Sequence, residues 1–257
     1  MHWDKNVLER NKVLGQLTGV INLDYTHWPT IAELNQHWAN TLPIRFIEEV
    51  EFAHLGCSYE EAVAQGGVPT RAQNWHDLFG AIIWRLFPRT KALLNQLHIE
   101  HIKQFGAKQR TPRRDRITHF DECGMILAVP NTTPIEQLLR QHQWQQLFIE
   151  QRGHWDKQIR PVVFGHALYE QALAPFIGMT GKCVLLAMDD DFFSLSVKDR
   201  YPRLDATLAA YVEQTALFDQ KKPLRPLPLL GIPGWWPANE DLSFYQNTDY
   251  FRPAPAR

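Results

Sequence analysis

The stretch "NWHDLFGAIIWRLFP", Asn74 to Pro88, constrains the fold more than any other part of the chain. Trp75, Leu78, Phe79, Ile82, Ile83, Leu86 and Phe87 recur at i, i+3 and i+4, the spacing that gathers apolar side chains on one side of an α-helix. Pro88 ends or kinks that helix, and "TKALLNQLHIEHIKQF" reads as a second helix folding back after the break. Asn74 is a good N-cap, and Asp77 at the third helical position complements the helix dipole. His76 is left over. It shares a stripe with Gly80 and Trp84 away from the main apolar face, and a glycine one turn on lets another group approach the imidazole.

Other helix starts are marked by a hydroxyl cap with a glutamate three residues later: Thr30 with Glu33, Ser58 with Glu61, and Thr133 with Glu136. Between the first two, "IRFIEEVEF" alternates apolar residues at period two and reads as a strand. "RITHFDECGMILAV" predicts a hairpin near 117–129, with Asp121 and Gly124 at the ends of a tight turn. A helix or helix pair is expected from Thr133 to about Phe148. "PVVFGHALYEQALAPF" is apolar on nearly all sides and predicts a buried helix near 162–174. "KCVLLAM" predicts a buried strand near 182–188, and Leu204, Leu208, Tyr211, Val212 and Thr215 mark a further amphipathic helix. Residues 221–257 hold too many prolines for regular elements yet many aromatics, so they are expected to pack on the body as an irregular arm. Helices broken by scattered short strands give an α+β class, mainly helical, in one domain of 257 residues.

A net charge of -1 argues against a surface that grips nucleic acid or anionic lipid everywhere. The opening residues lack the apolar run of a secretory signal, no later run is long and uncharged enough to span a bilayer, and the expected location is the cytoplasm. Three cysteines, Cys57, Cys123 and Cys183, show no CxxC spacing, so neither a disulfide framework nor a cysteine zinc knuckle is expected.

The ordered set "GGVPTRAQNWHDLFGAIIWRLFPRTKALLNQLH", "RRDRITHFDECG", "VFGHALYEQALAP", "MTGK" and "PLPLLGIPGWWPAN…FYQNTDYFRP" resembles a proteobacterial family known only as a domain of unknown function. The resemblance runs from about Tyr59 to Pro253. It implies relatives without implying a mechanism, and the chain departs from the family's form at Gly80.

His166 and Glu170 stand i, i+4 on one helix face. Two readings are open: a self-satisfied buried pair, or two groups pointing into a cleft as metal ligands or as a base with its orienting carboxylate. The favoured expectation is a metal-dependent hydrolase-like enzyme centred between the 75–87 and 162–174 helices. Its metal ligands would be His76, His166, Glu170 and Asp121, with His76, Asp77 and Glu122 as catalytic groups and zinc, manganese or iron as the ion. Arg113 and Arg114 would hold a small anionic, phosphorylated substrate, with Trp235 walling the pocket. The alternative is a non-catalytic module that binds nucleic acid or a protein through the basic 103–116 segment, which is expected to be a loop.

Overall fold

A computed structural model describes residues 2–38, 41–130 and 134–254. The elements run in the order α1 (Ile31–Trp38), β1 (Arg45–Ile47), α2 (Glu49–Leu55), α3 (Tyr59–Ala64), β2 (Gly67–Pro69), α4 (Trp75–Leu86), α5 (Pro88–Phe105) and α6 (Pro112–Cys123). They continue with β3 (Gly124–Val129), α7 (Ile135–Arg140), β4 (Arg160–Val163), α8 (His166–Gln171), β5 (Thr180–Ala187), α9 (Val197–Gln214) and β6 (Arg225–Pro228). The class is α+β, and no helix of the described residues is long and apolar enough to cross a membrane.

The main sheet has the order β4-β3-β5-β6. Its two inner strands, β3 and β5, are parallel, and the outer two pair with them antiparallel. Every residue of β3 is buried, as expected of a strand covered on both faces. The helix α4 buries Trp75, Leu78, Phe79, Ile82, Ile83 and Leu86 in the same core, and α8 packs directly against it. Asn74 caps α4 as expected, accepting from the Asp77 N–H at 3.1 Å. The capping boxes at Thr30 with Glu33 and at Ser58 with Glu61 are both formed. The third, at Thr133, lies outside the described residues.

The expected hairpin near 117–129 is corrected to a helix that runs straight into a strand. Thr111 accepts from the Arg114 N–H, Pro112 occupies the first helical position, and α6 holds Ile117 and Phe120 in the core up to Cys123. The basic segment is accordingly no continuous loop: Lys103 belongs to α5, and Arg113, Arg114 and Arg116 to α6. Three further corrections have simple causes. "IRFIEEVEF" is a strand only as far as Ile47, because its partner β2 is three residues long and offers nothing for a longer strand to pair with. Pro161–Val163 belong to β4, so the buried helix begins at His166. The C-terminal arm contains β6 despite Pro226 and Pro228, since an edge strand needs only half of its N–H groups. Beyond β6 the arm is irregular and packed: Trp235, Tyr245, Tyr250 and Phe251 are buried, and the Tyr250 hydroxyl donates to Met179 O at 2.6 Å.

Candidate metal centre

Three elements, α4, α6 and α8, bring side chains to one point. Gly165 precedes α8, and a Cβ there would lie 2.3 Å from Glu122 O, 2.4 Å from Gly124 N and 2.5 Å from Cys123 N. Only glycine permits that approach, which seats the first turn of α8 against the last turn of α6. Carbonyls of a last helical turn lack partners within the helix. One of them, Asp121 O, lies 2.9 Å from His166 Nδ1. A carbonyl can only accept, so this nitrogen carries the proton and Nε2 keeps its lone pair.

His76 reaches the same point from the first turn of α4. Its Nδ1 lies 2.8 Å from Glu170 Oε2, a carboxylate contact that places the proton on Nδ1 and leaves Nε2 as the open nitrogen. The two Nε2 atoms are 3.0 Å apart. Glu122 Oε2 lies 3.5 Å from the Nε2 of His166 and 3.8 Å from that of His76. Ligand atoms of His76, Glu122 and His166 thus fall within 4.8 Å of one another. Two lone pairs facing each other repel unless a proton or a cation sits between them. Burial makes the proton costly at His166, whose pKa is pushed down to about 4. Glu122 is shifted the other way: burial raises it above the ordinary carboxylate range, with Asp121 and Glu170 adding to the effect against the pull of His76.

The cluster borders a cavity of about 450 Å³ lined by Tyr59, Arg71, His76, Asp77, Trp84 and Lys91 among others. Asp77 takes the Arg71 guanidinium at 2.8 and 3.0 Å and the Arg71 backbone N–H at 2.6 Å. Asp121 turns its carboxylate to Lys91, at 2.5 and 2.8 Å from the ammonium. Burial opposes the charged form of Asp121, yet Lys91, His166 and His98 together outweigh it and hold the group below its ordinary range. The structure therefore divides the expected ligands. His76 and His166 converge, Glu122 joins them, Glu170 stands behind His76, and Asp121 contributes its carbonyl behind His166.

Among the described residues, Arg113, Arg114 and Trp235 lie outside the lining of this cavity. Arg113 is engaged with His101, Glu100 and Asp219, while Arg114 is buried against Glu60 and the carbonyls of Ala107 and Gln109. Sequence reasoning missed Lys91 and Arg71. Lys91 had a signal: it shares the buried face of α5 with Leu94, His98 and Ile102, where a lysine needs a partner. Gly80 faces His166 rather than opening space at His76, since a Cβ there would lie 3.7 Å from the His166 ring.

A family model described as a protein of unknown function, DUF3025, matches residues 44–255. The chain belongs to the DUF3025 family. The match takes in every residue of the His76, Glu122, His166 and Glu170 cluster, so the candidate centre of this DUF3025 member lies wholly inside the family region. No curated protein and no solved structure matches the chain.

One buried group of this DUF3025 member outside the cluster yields a stability prediction. His98, 8% exposed, has its pKa pushed from the usual 6.5 down to about 4, chiefly by burial. As pH falls between those values the unfolded chain takes a proton that the folded chain refuses, so stability declines, by about 3 kcal/mol once pH is below the folded value. Denaturant unfolding near about pH 7.5 and about pH 4.5 measures the loss, and His98→Asn is expected to remove part of the slope. An unchanged slope in that variant would refute the assignment to His98.

Proposed function

We propose that this protein is a divalent-metal-dependent hydrolase whose ion is held by His76, His166 and Glu122. The observation that carries the reading is the commitment of both Nδ1 atoms elsewhere, to Glu170 and to Asp121 O, which leaves two Nε2 lone pairs and a carboxylate aimed at one point. Two imidazoles and one carboxylate suit zinc, manganese or iron, and three protein ligands beside a cavity leave room for water or substrate. A divalent ion held by these residues would supply Lewis acidity, lowering the pKa of water and polarising an oxygen of the substrate.

The chain's own residues supply the rest. Glu170 fixes the tautomer and ring orientation of His76, and Asp121 O does the same for His166. Asp77 lines the cavity as a carboxylate that Arg71 holds in place and in its ionised form, and it serves as the general base. The expectation of an anionic, phosphorylated substrate rested on Arg113 and Arg114, and the partners of those two arginines remove its support. The nucleic-acid alternative weakens for the same reason. Arg110 pairs with Asp115 and Arg116 donates to Phe218 O, so the segment presents few uncommitted cations.

Full-length protein purified without chelator is expected to carry about one zinc, manganese or iron ion per chain. His76→Ala and Glu122→Gln, both at partly exposed positions, should each lose it while keeping the wild-type circular dichroism spectrum. Equal metal content in wild type and both variants, or none in wild type after incubation with each metal, would reject the centre.

A further inference from the structure

Resting on the metal-dependent reading above, we infer that the substrate is an uncharged carboxylic amide or ester and not a phosphate ester. The charges of the cavity carry the inference. Its lining holds two cations, Arg71 and Lys91, and four carboxylates, Glu49, Asp77, Asp121 and Glu122. Each cation is already matched: Arg71 with Asp77 at 2.8 Å and Lys91 with Asp121 at 2.5 Å. A divalent ion brings this lining only to neutrality. Glu49, exposed and with no ion-pair partner among the described residues, then faces any entering ligand, and a phosphate dianion finds no uncommitted side-chain cation to help the ion itself.

An uncharged acyl group meets no such opposition. Phe52, Tyr59, Val68, Pro69, Ala81 and Trp84 give the cavity apolar walls. Trp84 is 3% exposed, and its indole N–H has no hydrogen-bond partner among the described residues, so it presents the cavity with ring surface and not with a charged group. The same residue also walls an adjoining cavity of about 150 Å³, which adds the apolar side chains of Val63, Leu94 and Ile117, and whose added charges are matched too, Arg110 by Asp115 and Glu60 by Arg114. An acyl carbonyl needs no counter-ion, and the adjoining space can take a substituent beside it. In the hydrolysis, the oxygen of water bonds to the acyl carbon and the C–N or C–O bond breaks. The released amine or alcohol takes a proton from that water, a carboxylic acid remains, and nothing is oxidised or reduced.

The test uses zinc-loaded full-length protein and three probes with one leaving group: para-nitrophenyl butyrate, para-nitrophenyl phosphate and bis(para-nitrophenyl) phosphate. Zinc uptake is measured first by calorimetry, and Glu122→Gln and His76→Ala supply the background rate. The neutral ester is expected to exceed that background by at least about tenfold more than either phosphate ester does. Asp77→Asn, which unpairs Arg71, is expected to bind inorganic phosphate about tenfold more tightly than wild type. Zinc uptake with a phosphate ester preferred, with no probe above background, or with phosphate binding unchanged in Asp77→Asn overturns the substrate class alone. Absence of zinc uptake overturns the metal reading itself.

Discussion

Gly165→Ala is expected to lower stability by about 3 kcal/mol and to abolish metal binding in whatever fraction still folds. The added methyl would sit between 2.3 and 2.5 Å from three backbone atoms, Glu122 O, Gly124 N and Cys123 N. Backbone cannot swing aside as the end of a side chain can. The Gly165 N–H donates to Gly124 O at 2.8 Å, so relief of the clash must separate α8 from the α6–β3 junction. That separation would withdraw His166 from Asp121 O and from Glu122 together. Gly153 is the control, because nothing lies within 4 Å of a Cβ built there. Urea unfolding of both alanine variants measures the difference, and equal stability would refute the account of close approach.

His166→Ala is expected to weaken zinc binding by more than about a hundredfold, and Glu170→Gln by about tenfold to a hundredfold. The first removes a donor atom. The second leaves every donor in place and alters only the group 2.8 Å from His76 Nδ1, so the ring loses its orientation and part of its basicity. Competition against a chromogenic chelator reads both affinities. A Glu170→Gln protein that binds zinc as tightly as wild type would show that Glu170 has no part in positioning His76, while an unaffected His166→Ala would remove the centre altogether. Asp77→Asn, on the Arg71 side of the cavity, is expected to leave zinc affinity within about threefold of wild type.

Much of the secondary structure was legible because its signals are local. Asn74, Ser58 and Thr30 cap the helices that they announce, and the apolar period of α4 places the residues that are buried. The α6–β3 junction was misread because a polar helix and a strand abut there without a loop. Most of α6 outside Ile117, Phe120 and Arg114 is not buried, so its apolar period is faint, whereas β3 is apolar throughout and draws the preceding residues into its pattern. The consequence for the site was large. On a strand, Asp121 and Glu122 would point to opposite faces, but on a helix they diverge by about 100°. That divergence sends Asp121 to Lys91 and Glu122 to the two histidines.

The spacing of His166 and Glu170 shows the same limit from the other side. One turn apart on α8, they were expected to satisfy each other or to share an ion. Instead His76 enters between them, taking His166 on one ring nitrogen and Glu170 on the other.

The amino-acid sequence alone determined where the helices begin, which faces enter the core, and that His76 has no capping or core-packing duty. Those properties depend on neighbours within a turn or two. Tertiary structure alone decided that residues 90 positions apart share one point, that each imidazole presents Nε2, and that Glu122 faces them while Asp121 does not. Tautomer and convergence arise from contacts between α4, α6 and α8, and the Gly165 approach that sets them has no counterpart in local spacing.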